Sequence, residues 1–288
     1  MRIASWSWGG RDHVGSLSPC GREVTPLAAG DASRGALGLI QALALGEGLP
    51  SPSGTRLPTE VVTLRAPLPR PLRSLFCAGR NYRAHAAELA TTVFRDSLPK
   101  EDLWPIVFGK LPECVIGPHD VVRMPGAAVS SQIDYESELA VVIGRGGRDI
   151  ARSRAMDHVF GYTIVNDVSC RDVQVRHQQW DLGKSFDTFC PMGPCIVTAD
   201  ELDGRATRVC GWVNGELRQD GHTRDLIFDI PTLIETCSRG ITLYPGDVIA
   251  TGTPSGVGMG FSPPKWLCGG DVVRIEIDGL GVLENPVH

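Results

Sequence analysis

No CxxC pair occurs among the nine cysteines, which lie scattered from Cys20 to Cys268, so neither a zinc knuckle nor a thioredoxin-type redox site is written in the chain. Reduced, packed thiols are the expectation. No GxSxG elbow is present, and Cys190 and Cys195 are followed by Pro191 and Ile196 with no adjacent histidine, which sets aside a nucleophilic serine or cysteine. Long apolar runs are missing as well. The best stretch, Ala36 to Leu45, is too short to span a bilayer, and the opening MRIASWSWGGRDHVG has no signal-peptide core. A cytoplasmic location is the expectation. Charge of one sign is not concentrated anywhere: 28 basic against 33 acidic residues give a net charge of -5. That balance offers no electrostatic reason to expect nucleic acid or an anionic membrane as partner.

Two glycine-rich motifs are also incomplete. Gly183-Lys184-Ser185 lacks the first glycine of a Walker loop, and Gly256-Val257-Gly258-Met259-Gly260 runs into Phe261-Ser262-Pro263-Pro264 instead of a helix that would take a pyrophosphate.

What is present is a β-rich text. Residues 1 to about 20 alternate around Gly9-Gly10 and predict a hairpin. A helix is expected from Ser33, as its cap, to Leu45, with Gly46 as its stop. A strand follows near Val61 to Leu64, and the flanking LPSPSGTRLP and APLPRPLR read as a connector, placing a domain boundary near residue 70. Residues 1–70 then form a small N-terminal domain and 71–288 a catalytic one. Further strands are expected at Glu138–Ile143, Gly161–Val165, Cys195–Thr198, Val209–Val213, Asp247–Ala250 and Val272–Ile277, with helices at Tyr82–Thr91 and Ile230–Ser238. The fold class is mainly β with α (α+β), and nothing supports a doubly wound sheet.

Three segments can carry chemistry. In IDYESEL, residues 133–139, Glu136 and Glu138 share one face of a strand because side chains alternate. Asp167 ends the strand of GYTIVNDVSCRDVQ, residues 161–174. Three such carboxylates suit Mg²⁺ or Mn²⁺, though two glutamates at a strand entrance are equally compatible with a solvated end. In FCAGRNYRAHAAELA, residues 76–90, His85 and Glu88 fall at i and i+3 of a helix, so the carboxylate can orient the imidazole as a general base. An exposed pair on an alanine-rich surface helix fits the same spacing, and flanking glycine and proline would let the segment move as a lid. Lys184 could stabilise an anionic oxygen, and Thr251-Gly252-Thr253 could present backbone N–H and hydroxyl groups to a carboxylate. His13, His119, His158, His177 and His222 lack a partner pattern.

Taken together, GRNYRAHAAE, IDYESELAVVIG, GYTIVNDVSCRDVQ, GKSFDTFCPMGP, VNGELRQDG and LYPGDVIATGTPSGVG stand in an order that resembles the fumarylacetoacetate hydrolase family over residues 70 to 287. The resemblance implies a mixed β-sandwich roll, a homodimer, and one Mg²⁺ or Mn²⁺ held by Glu136, Glu138 and Asp167. It also implies His85 and Glu88 as a water-activating lid dyad, Lys184 as the active-site lysine, and Arg171, Gln174 and Thr253 as the substrate pocket. The activity it implies first is metal-dependent hydrolysis of a C–C bond in an acylpyruvate- or fumarylpyruvate-type 2,4-dioxo acid, as in aromatic catabolism. A 2-oxo acid lyase, decarboxylating oxaloacetate or hydrating, and a non-catalytic metal-dependent binding protein are the alternatives. Two departures bear on substrate size: Phe108-Gly109-Lys110 is followed by Leu111-Pro112-Glu113-Cys114 instead of a serine-rich segment, and the interval from Glu88 to Pro105, with Phe94, Arg95 and Trp104, is long.

Overall fold

A computed structural model describes residues 1–89, 104–177 and 179–288. Thr91, Phe94 and Arg95 lie outside the described residues.

The continuous apolar text Leu139 to Ile143 becomes a strand, Ser137–Ile143, in which every residue is buried. Such a strand has no solvent face to spend on polar residues, which is why its sequence does not alternate. It pairs antiparallel with Val159–Asn166 on one side and with Val248–Ala250 on the other. Val159–Asn166 continues to Cys190–Thr198, and Val248–Ala250 runs parallel to Leu75–Gly79, which pairs with Ile106–Lys110. A separate four-stranded antiparallel sheet, ordered 216–222, 208–213, 272–277 and 281–286, completes the mainly β architecture.

The hairpin expected at the N-terminus forms, with Arg2–Trp8 paired to Arg11–Leu17 across a turn where Gly9 and Gly10 both have positive φ. That conformation is strained for side chains and open to glycine. Arg2–Trp8 also pairs with Cys190–Thr198, so the first strands extend the same sheet that carries the central strand. The helix predicted from Ser33 begins later. Asp31 caps a short 3₁₀ turn, 32–34, by accepting from the Ser33 N–H, Gly35 at φ 62° interrupts the chain, and α1 spans Leu37–Ala44. Ser33 is therefore not its cap, while Gly46, at φ 85°, follows its end as expected.

The remaining helices are α2 (Arg83–Leu89), α3 (Arg171–His177), α4 (Asp181–Lys184) and α5 (Ile230–Ser238). The last has the predicted limits because Asp229 accepts from the Thr232 N–H at its start and Pro231 occupies the first turn. All nine cysteines are free thiols, and all but Cys20 and Cys268 are buried. Among the described residues no helix is long and apolar enough to cross a membrane.

Candidate active site

Glu136 and Glu138 project from the entrance of the central strand, and Asp167 from the end of its neighbour, Val159–Asn166. Antiparallel pairing of Ser137 with Asn166 brings the two strand ends together. One carboxylate oxygen from each of the three residues lies within 4.8 Å of the other two. All three side chains are buried, which removes the solvated strand end as an explanation.

Burying three like charges is costly unless opposite charge is supplied. Lys184, at the end of α4, places Nζ 2.7 Å from Glu136 Oε2 and 2.7 Å from Asp167 Oδ2. Arg171, opening α3, reaches Glu136 Oε1 with Nη2 at 2.7 Å. Against the burial that opposes its ionisation, the Lys184 and Arg171 cations hold the Glu136 carboxyl well below the usual carboxylate range. Lys110 sits fully buried with Nζ 2.7 Å from Asp167 Oδ1.

Glu138 is different. Its Oε2 accepts from the Gly252 N–H at 2.8 Å, but among the described residues it forms no ion pair. Burial first, then the Asp167 and Glu136 charges, push its carboxyl well above the usual value. Asp167 Oδ1 faces Lys110 Nζ and its Oδ2 faces Lys184 Nζ, so Asp167, unlike Glu138, has an ammonium at each oxygen. Three converging buried carboxylates that offer hard oxygen donors, one of them under-neutralised, fit a divalent cation.

A narrow cleft lies above the cluster. It is lined by His85, Arg171, Gln174, Lys184 and Thr253, together with Arg80, Phe108 and Trp180. His85 is only 2% exposed, so the surface-helix alternative does not hold. Its Nδ1–H donates to Glu88 Oε2 at 3.2 Å, leaving Nε2 as the ring nitrogen for proton transfer. Glu88 Oε1 accepts from the Gly256 N–H at 3.0 Å, so the carboxylate that orients the imidazole is itself held by the glycine turn.

The sequence-predicted set thus gathers in one place, with adjustments. Lys184 ends a short helix instead of forming a turn, and it grips two cluster carboxylates. The Gly252 N–H is spent on Glu138, and the Thr253 hydroxyl donates to the Ser137 carbonyl while accepting from Gln219.

Residues 74–288 match the family model described as fumarylacetoacetate (FAA) hydrolase C-terminal. The chain belongs to the fumarylacetoacetate hydrolase family. The oxaloacetate tautomerase YisK of Bacillus subtilis is 51% identical over 227 residues, covering 78% of this chain and 73% of that protein. The human mitochondrial oxaloacetate tautomerase FAHD2A is 46% identical over 234 residues, covering 80% and 71%. Among solved structures, a fumarylacetoacetate hydrolase from psychrophilic Exiguobacterium antarcticum superposes with a TM-score of 0.84 at 38% identity, covering 100% of this chain and 99% of that one. This protein is therefore an enzyme of the fumarylacetoacetate hydrolase family, and its cluster of two glutamates and an aspartate can hold a metal ion.

Three site residues were not singled out from the sequence. Arg80 lines the cleft with its guanidinium 5.5 Å from the Trp180 ring. Its residue adopts φ 52°, an uncommon backbone conformation for a side chain that bulky. The signal was its place in GRNYRAHAAE. Trp180 packs so closely that a Cβ on Gly79 would come 2.4 Å from its ring. Lys110 ends the strand Ile106–Lys110, where a lysine reads as a solvated terminus unless its buried partner is known. Besides Asp167, it donates to the carbonyls of Val168 and Lys184, tying α4 to the cluster. Lys110→Met should therefore lower the stability of the metal-free protein by about 3 kcal/mol, the scale for breaking a buried ion pair, read as a fall in thermal midpoint.

Proposed function

We propose that the enzyme enolises a 2-oxo acid and that its reaction is the enol–keto tautomerisation of oxaloacetate, with Mg²⁺ or Mn²⁺ as cofactor. The observation that carries this is the burial of His85, oriented by Glu88, in the same cleft as the Glu136–Glu138–Asp167 cluster. The two oxaloacetate tautomerases, each covered over more than two thirds of its length, support the substrate.

A divalent ion held by Glu136, Glu138 and Asp167 would supply Lewis-acid stabilisation of the enolate oxygen of a 2-oxo acid. The protein's own groups do the rest. Glu88 keeps the His85 ring in place, and His85 Nε2 moves the proton: the enol C2–OH gives up its proton, C3 gains one, and nothing is consumed. Lys184 and Arg171 keep positive charge beside the cluster, which opposes protonation of Glu136 and attracts an anionic substrate. Arg171, Gln174 and Thr253 form the wall against which the substrate is oriented. Phe108, stacked edge-on to Trp180 at 5.3 Å, limits the water that reaches it.

The same dyad favours a second reading, hydrolysis of an acylpyruvate or fumarylpyruvate, in which His85 activates water against the distal carbonyl and C–C cleavage releases pyruvate and a carboxylic acid. One assay separates them. Purified enzyme with Mn²⁺ is given the enol form of oxaloacetate, acetylpyruvate and fumarylpyruvate, with the decay of enol absorbance, pyruvate and CO₂ all followed. Accelerated ketonisation without matching pyruvate supports the tautomerase. Pyruvate from a diketone with no accelerated ketonisation sinks it and supports the hydrolase, whereas CO₂ in step with oxaloacetate loss points to a decarboxylase. A homodimer is part of the proposal and is read by light scattering.

A further inference from the structure

Ile133–Asp134, at the strand entrance, carries a buried carboxylate that the chemistry above does not use. Asp134 is wholly enclosed, a position in which a carboxylate is tolerated only when its charge and lone pairs are met. Its Oδ1 accepts from the N–H groups of Tyr135 at 2.9 Å and Gly258 at 2.6 Å. Its Oδ2 accepts from the Met259 N–H at 3.0 Å and from Arg171 Nε at 2.9 Å.

Two of these contacts lead back to the active site by different routes. Arg171, held through Nε, aims Nη2 at Glu136 and donates from Nη1 to Gln174 at 3.2 Å. Gly258 and Met259 belong to the turn 256–260, which holds Glu88 through the Gly256 N–H. The Tyr135 hydroxyl donates to the Gly256 carbonyl at 2.8 Å and pins the same turn from the residue next to Asp134. The fit is close: a Cβ on Gly258 would come 2.7 Å from Asp134 Oδ1, and one on Gly260 2.0 Å from Glu88 Oε1. Neighbouring residues of one segment therefore do different work. Glu136 joins the cluster, while Asp134 and Tyr135 fix the turn on which the dyad leans.

We infer that Asp134 is a positioning residue that sets the His85–Glu88 dyad and the carboxylate cluster in one frame, through the 256–260 turn on one side and Arg171 on the other. Its effect on turnover rests on the proposed function; its effect on the turn does not. In Asp134→Asn the amide N–H₂ faces a turn N–H in either orientation, that of Gly258 in place of Oδ1 or that of Met259, with Arg171 Nε, in place of Oδ2, so the hold on the turn is broken while side-chain volume is kept. A purely structural acid would lower stability alone. A positioning acid lowers kcat at nearly constant KM, and its loss merges with that of Glu88 because both act through the same turn.

The test uses the full chain as Asp134→Asn, Glu88→Gln, their double variant and Tyr135→Phe. Amide hydrogen exchange is measured without substrate, and kcat and KM with the substrate of the wild type. In Asp134→Asn, exchange at residues 256–260 should accelerate roughly tenfold or more, and kcat should fall about 10- to 100-fold with little change in KM. The double variant should lie within about threefold of the worse single one. Unchanged exchange at 256–260 in folded Asp134→Asn, or losses that simply multiply, overturns the inference. Should Asp134→Asn not fold, Tyr135→Phe decides: faster exchange in the turn supports the inference, and wild-type exchange overturns it. A wild type inactive on every 2-oxo acid, with the turn loosened in Asp134→Asn, refutes the proposed function and supports the inference.

Discussion

Replacing His85 by alanine is expected to lower kcat by about 100- to 10,000-fold, the range for a positioned general acid–base group, while Mn²⁺ still binds. The separation follows from the geometry. His85 lines the cleft and its polar partner is Glu88 on α2, whereas the cluster is carried by strands and neutralised by Lys110, Lys184 and Arg171. Removing the imidazole leaves those contacts intact. Glu88→Gln should have a smaller effect, because the amide still accepts from the Gly256 N–H and can contact Nδ1 but no longer supports a positive ring. Stopped-flow kinetics checks the rate, and calorimetric titration with Mn²⁺ checks the metal. A His85→Ala enzyme with near wild-type turnover would remove this residue from the chemistry, and one that had lost Mn²⁺ would show that the helix and the cluster are not separable.

Glu138→Gln should act in the opposite pattern. Direct ligand loss is expected to weaken Mn²⁺ binding by more than about 100-fold, above the range for groups that merely support a ligand. The metal-free protein should nonetheless be as stable as the wild type or more so. Among the described residues Glu138 lacks an ion-pair partner, and burial and its two acidic neighbours already disfavour its charge, while glutamine keeps the acceptor for the Gly252 N–H. The sign of the pH effect follows. A carboxyl whose folded-state value is raised penalises the folded, metal-free protein as pH climbs through that value, and stability returns as pH falls below the ordinary carboxylate range. Metal binding requires the deprotonated form, so Mn²⁺ affinity should rise with pH over the interval in which Glu138 titrates, and this dependence should flatten in Glu138→Gln. A destabilised metal-free variant would show that Glu138 is satisfied in some other way.

Much of this was legible locally. Val272–Ile277 and Ile230–Ser238 have the expected limits because alternation, an aspartate cap and a first-turn proline are all written within a few residues of the element they control. The central strand was legible for another reason: an uninterrupted apolar run of that length has nowhere to go but the interior. Ser33 misled because an aspartate two residues earlier competes for the same turn, and Gly35 then breaks the chain before a helix can propagate.

By itself, then, the amino-acid order determined which residue types stand at the strand ends, and with them the chemistry that the chain can support: three acids, a histidine three residues from a glutamate, and a lysine between glycine and serine. Only the tertiary structure decided that these groups meet. Whether a carboxylate costs nothing in water or creates a demand for a cation depends on burial, and burial depends on pairings such as Ser137 with Asn166 or Arg2 with Val197, whose partners lie tens to hundreds of residues apart. The same holds for Lys110 and Asp134, which are ordinary polar residues until the fold encloses them. No local pattern encodes that enclosure, because the free energy of a buried charge is set by neighbours that the chain brings together only when it folds.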